Sequence, residues 1–198
     1  MSKAPVLPPS DLPFLFRARD LRDRDIPRWR VQSWLSHGHV TRVGRGLYRV
    51  VGAPETELET LAAVARTVPE GVFCLLTALR VHEIGTQSPA QVWMAVDRKA
   101  WLQDTSPWRV RFVRWSRPML DVGVEHRSVQ GVTVRVTTVA RTVVDCFRYR
   151  NKIGLDVALE ALEDTLRDRR VGVDQLMAMA RACRATTVLR PYLQSLAR

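Results

Sequence analysis

Apolar positions along the chain switch between helical and period-two spacing, and those switches mark the predicted elements. Between Ile26 and Leu35 the apolar residues Val31, Trp34 and Leu35 recur at helical spacing, with Ile26 able to join the same stripe. Pro27 suits the first turn of this helix and Gly38, after His37, suits its C-terminal cap. Upstream, Ala18 to Arg24 reads as a short helix with Leu21 inward, and Phe14 to Phe16 as a small strand or docking segment. Downstream, Val40 to Val43 and Leu47 to Val51 read as strands joined by Gly44-Arg45-Gly46, whose glycines tolerate positive φ. Met1 to Pro13 is proline-rich and is expected to be an extended arm.

Beyond a hinge at Gly52-Ala53-Pro54, Glu55 to Thr67 is a helix-forming stretch with Leu58, Leu61, Ala62 and Ala65 on one face. Leu75 to His82 reads as a helix inside an apolar run. Period-two alternation then marks strands at Val92 to Val96, Val110 to Trp115, Val124 to Val129 and Val132 to Val136, the last two joined by Gln130-Gly131. Helical spacing returns over Thr138 to Tyr149, Leu155 to Arg169, Val173 to Cys183 and Thr186 to Ala197. The resulting expectation is an α+β chain: an N-terminal winged helix-turn-helix domain over residues 1–52, followed by a mixed α/β domain over residues 53–198 with a small sheet and C-terminal helices.

Charge gives the first region a direction. The chain carries a net charge of +11, and residues 1–52 hold Lys3 and nine Arg against only Asp11, Asp20, Asp23 and Asp25. A quarter of the chain thus supplies more than half of the excess, as in a nucleic-acid-binding module attached to a more neutral partner. Codon bias explains Arg in place of Lys, but not the clustering. On the second predicted helix Arg28 and Arg30 can offer bidentate donors to guanine, Gln32 can pair with adenine, and Ser33 can reach a base or a phosphate. Arg42, Arg45 and Arg49 would line the wing and meet phosphates. Trp34 reads as core, Trp29 is left open, and His37 and His39 read as loop residues around the cap.

Other chemistries find less support. Apolar runs such as Gly71 to Leu79 are short of the roughly 20 residues that span a bilayer, and the start has no basic-then-apolar leader, so the protein is expected in the cytoplasm with no membrane partner. Cys74, Cys146 and Cys183 are scattered and read as buried thiols; without Cys-x-x-Cys, no metal site is expected. With no Gly-x-Ser-x-Gly elbow or phosphate-binding glycine loop, neither an enzyme nor a cofactor is expected. One alternative is a metal-dependent nuclease using the Asp-x-Lys pair Asp97 and Lys99, with Glu83 as a further carboxylate. Another is a protein-interaction module without DNA specificity, using the basic face Arg141, Arg148, Arg150 and Lys152 and the helix Leu155 to Arg170.

The segment "LRDRDIPRWRVQSWLSHGHVTRVGRGLYRV" resembles the N-terminal winged helix of AbiEi-family abortive-infection antitoxins. "CLLTALRVHEIGTQSPAQVWMAVDRKA" and "VTTVARTVVDCFRYRNKIGLDVALEALEDTLRDRRV" are similar to the second domain of that family. The resemblance spans about residues 14 to 197. It implies a type IV toxin–antitoxin system, in which the chain binds an inverted-repeat promoter as double-stranded DNA and represses its own operon. It further implies a C-terminal domain that counters a nucleotidyltransferase-like toxin, by contact or otherwise. The chain departs from the family where a first helix is usual, since the residues before Ala18 are short and proline-rich.

Overall fold

The computed structural model describes residues 7–52, 59–129 and 131–196, and among them eight α-helices and two small sheets form an α+β chain. Two compact units emerge, Met1–Pro69 with Leu102–Trp108 and Arg127–Val134, and the remainder from Glu70 onward. The start of the proline-rich arm, the Ala53-Pro54 part of the hinge, the first turn of the Glu55 helix and Gln130 lie outside the described residues.

The first unit is built on a three-stranded sheet of β1 (Leu15–Arg17), β2 (Val40–Gly44) and β3 (Leu47–Val50), in the order β1-β3-β2 and antiparallel throughout. Leu15 and Phe16 are neighbours on one strand and therefore point to opposite faces, yet both are completely buried. The sheet is thus covered on both sides. On one face Phe16, Val40, Tyr48 and Val50 pack with Val31 and Trp34 of α1 (Trp29–Ser36), Phe16 meeting Trp34 edge-on at 6.2 Å and stacking on Tyr48 at 5.7 Å. On the other face, shared by Leu15, Leu47 and Arg49 through their register, the strands β1 and β3 pack against α2 (Glu59–Thr67). Each fully buried leucine or phenylalanine in such a two-faced arrangement contributes about 1.5–3 kcal/mol of transfer free energy.

Caps decide where α1 stops. Gly38 takes φ +71, which a Cβ would oppose, and this lets its N–H reach the Leu35 carbonyl and the His39 N–H reach that of Trp34. The two glycines of the hairpin serve different ends. Gly46 has the expected positive φ (+66), but Gly44 does not; a Cβ there would lie 3.4 Å from both the Ser106 carbonyl and the Trp108 ring, so Gly44 answers a close approach. The short helix expected over Ala18 to Arg24 is not formed. Asp20 accepts the Arg17 N–H at 2.9 Å and draws the chain into turns that end in a single 3-10 turn at Arg22–Arg24, closed by Asp25 at φ +52.

The second unit contains most of a mixed five-stranded sheet, ordered β6-β5-β4-β8-β7, from β4 (Val72–Phe73), β5 (Val92–Asp97), β6 (Val110–Trp115), β7 (Val124–Val129) and β8 (Val132–Thr137). β5 runs parallel to β6 and β4 parallel to β8, while β4 and β5 are antiparallel. Around α4 (Val139–Arg148) pack α3 (Leu75–Val81), α5 (Arg150–Ile153), α6 (Leu155–Arg167), α7 (Val173–Ala182) and α8 (Thr186–Leu196). With neighbours on so many sides, every residue from Ala140 to Phe147 is buried. This overturns the expected basic face at one of its members: Arg141 is a core residue.

Candidate nucleic-acid interface

Successive residues of a helix are rotated by about 100°, so turning Val31, Trp34 and Leu35 inward leaves Trp29, Gln32, Ser33 and Ser36 along the outward line, flanked by Arg28 and Arg30. The observed exposure follows this geometry. Arg28 and Gln32 are exposed, Arg30 and Ser33 half-buried, and Trp29 keeps 65% of its surface in solvent. The Arg30 guanidinium lies 5.7 Å from the centre of the Trp29 ring. At the other end of the helix the Ser33 carbonyl accepts hydrogen bonds from Ser36 Oγ (2.9 Å) and His37 Nδ1 (2.7 Å), which fixes the last turn. The first turn contains no acidic residue, and no side chain caps it. Trp29 was left open by the sequence; the angular position that sets it among the arginines was the signal that could have placed it.

On the hairpin, cross-strand partners share a face, so Arg42 opposite Tyr48 lies on the side of the sheet that carries α1. It is exposed, with its Nε donating to the Gly44 carbonyl at 3.3 Å. Arg45 is exposed at the tip. Arg49 is different. Paired with Leu15 and Thr41, it belongs to the opposite face, where its Nε sits 3.1 Å from Glu59 Oε1 of α2. Of the seven residues expected to meet DNA, Arg49 is therefore engaged inside the unit, while Arg30, Gln32 and Ser33 lie on α1, Arg28 at its N-cap, and Arg42 and Arg45 on the hairpin. Among the described residues Arg28, Arg30, Arg42 and Arg45 form no ion pair. The carboxyl group of Asp104 is held below its ordinary range by hydrogen bonds from Ser106, with the charge of Arg45 adding to the effect.

The features behind the alternatives are occupied in other ways. Asp97 Oδ1 accepts the Lys99 N–H at 2.8 Å, and Arg114 donates to the carbonyls of Asp97, Arg98 and Ala100, so the Asp-x-Lys pair forms a braced turn. Among the described residues no three His, Cys, Asp or Glu side chains converge as metal ligands would. Cys74, Cys146 and Cys183 are buried thiols, and burial pushes all three above the usual thiol range. Arg141 donates from Nε to Asp145 (2.6 Å) and from one Nη to the carbonyls of Met119 (3.2 Å) and Val122 (2.5 Å), with Trp115 stacked 4.3 Å away. Arg148 holds the second Asp145 oxygen at 2.9 Å. Burial raises the Asp145 carboxyl against the opposing pull of both arginines. Among the described residues no helix is long and apolar enough to cross a membrane.

Comparison with known proteins identifies a fold and nothing narrower. No family model matches the chain, and no curated protein does. Among solved structures the chain is similar to the RV2827C protein of Mycobacterium tuberculosis, with 13% sequence identity and a TM-score of 0.58, over 86% of this chain and 67% of that one. At such low identity the likeness concerns the path of the backbone alone.

Proposed function

We propose that this protein is a DNA-binding repressor of its own operon and the antitoxin of a type IV toxin–antitoxin pair. It acts in the cytoplasm, without enzymatic activity or cofactor, and its second domain counters a nucleotidyltransferase-like toxin. The observation that carries the DNA-binding part is the set of four arginines, Arg28, Arg30, Arg42 and Arg45, that α1 and the wing hold without an ion pair among the described residues. A cation left unpaired on a folded surface retains its full attraction for an external polyanion.

The element order supports a winged helix in which a single 3-10 turn stands where the first helix of a helix-turn-helix is expected. A strand, a turn, a helix and a hairpin, with the first strand added beside the second arm of the hairpin, bring α1 forward as a recognition helix and Gly44 to Gly46 as the wing tip. Where the family resemblance leads one to look for a first helix, Leu12 and β1 complete the core, and α2 covers the other face of the sheet. The antitoxin role rests on the resemblance of both halves of the sequence to AbiEi-family proteins.

The test is binding of the full chain to a duplex from its own upstream region, followed by fluorescence anisotropy across a salt series. Phosphate contacts by Arg28, Arg42 and Arg45, with Arg30 kept for a base edge, would give a slope of log affinity against log salt near −3, since each contributes about −0.9. A flat salt response, or equal affinity for unrelated duplexes, sinks the repressor reading. Co-expression with the product of the neighbouring gene checks the second half: that product is expected to be a nucleotidyltransferase-like toxin whose growth arrest this chain relieves.

A further inference from the structure

Trp29 is an expensive residue to leave in water. An indole presents one of the largest apolar surfaces of any side chain, and on α1 this one keeps 65% of its surface exposed beside two arginines, which offers an apolar group of a bound partner a surface to pack on. Its neighbours restrict what that partner can be. Arg28 precedes it and Arg30 follows, neither paired with an acid among the described residues, and the Arg30 guanidinium leans over the ring at 5.7 Å. Stacking on an aromatic ring limits the freedom of a guanidinium and so prepares its planar fork for bidentate contact. The Arg30 Nε is itself buried with no hydrogen-bond partner, so a contact to a base edge falls to the terminal nitrogens.

The floor of the major groove offers a single apolar group, the C5-methyl of thymine, while guanine offers the N7 and O6 acceptors that match an arginine fork. We infer that Trp29 is a specificity-determining residue whose indole packs on a thymine methyl, within one base step of a guanine held by Arg30. The step Trp29-Arg30 thus reads a methyl-bearing pyrimidine and a guanine together. This inference rests on the DNA-binding reading above and goes beyond it by naming the bases.

The experiment begins with the full-length protein and a pool of duplexes with a randomised centre. From the selected duplex, each thymine is replaced in turn by deoxyuridine, which removes one methyl group and keeps every hydrogen-bonding atom. At one thymine beside a guanine, wild-type affinity is expected to fall about fourfold, the worth of one buried methyl. In Trp29→Ala the thymine duplex binds at least fourfold more weakly than with wild type, and the response to deoxyuridine disappears; Trp29→Phe keeps part of it. A selected sequence with no methyl-sensitive thymine overturns the inference and leaves the repressor reading standing. So does a response that persists in Trp29→Ala, or a change of oligomeric mass in that variant with base preference intact, which would assign the ring to a second copy of the chain. A pool that yields no preferred sequence overturns both.

Discussion

Two sets of arginines in this chain behave in opposite ways. In the second unit Arg141 is wholly buried, and three of its neighbours, Asp145 and the carbonyls of Met119 and Val122, accept from it, while Trp115 covers its face. In the first unit Arg28, Arg30, Arg42 and Arg45 form no ion pair among the described residues, Arg45 feeling only the charge of Asp104, and three of the four are exposed. Composition alone treats these side chains as equal contributions to a charge of +11. Their surroundings separate them. A buried charge must be answered internally or the fold fails, whereas an exposed, unanswered one costs the fold little and remains able to meet a phosphate.

The largest expected effect follows from the buried set. Asp145→Ala would leave the Arg141 charge without its counter-ion in a site that water does not reach. Removing one partner of a buried pair costs about 3–5 kcal/mol, which for a chain of this size lowers the melting temperature by about 6–20 °C. Thermal denaturation followed by circular dichroism checks it. Asp145→Asn, which keeps an acceptor oxygen and loses only the charge, should lose less. Near-wild-type melting for Asp145→Ala would break the contrast, because Arg141 would then need no internal answer.

That contrast was only half legible in the sequence. The stripe Val31, Trp34 and Leu35, the cap at Gly38 and the turn at Gly46 are local signals, and the helix and hairpin form where those signals put them. β4, only two residues long, offers no alternation to detect. Ala18 to Arg24 has helical composition, yet the Asp20 side chain competes for the backbone and wins. Arg141 and Asp145 at i and i+4 look the same on a solvated helix as on a buried one; burial comes from the helices packed around α4, which no window of local sequence contains. A clue was present in the valines at 143 and 144 and Ala140, which leave the helix little polar surface.

The exposed set gives the next effect in size. Arg30→Ala should weaken duplex binding by about 1–3 kcal/mol and relax base preference at one position. Arg28→Ala with Arg45→Ala should lower the salt slope by about two while stability stays within roughly 0.5 kcal/mol of wild type. Anisotropy titrations at several salt concentrations, with melting curves on the same samples, separate these outcomes. If Arg28→Ala with Arg45→Ala melted several degrees lower, the exposed arginines would belong to the fold, and the division between the two sets would fail.

Arg49 lies between the sets and should give the smallest effect. By composition it belongs with the other arginines of the hairpin. Its place beside Leu47 in strand alternation instead turns it toward α2, where Glu59 meets it at 3.1 Å with both side chains about one-fifth exposed. A half-screened pair of this kind contributes about 1 kcal/mol or less. Arg49→Ala and Glu59→Gln are therefore expected to cost similar, small amounts of stability, and the double variant little more than either, since the pair is lost in all three. The salt slope of duplex binding should not change in Arg49→Ala. A slope lowered by about one would mean that Arg49 leaves Glu59 for a phosphate when DNA arrives, returning it to Arg42 and Arg45, with which the sequence had grouped it.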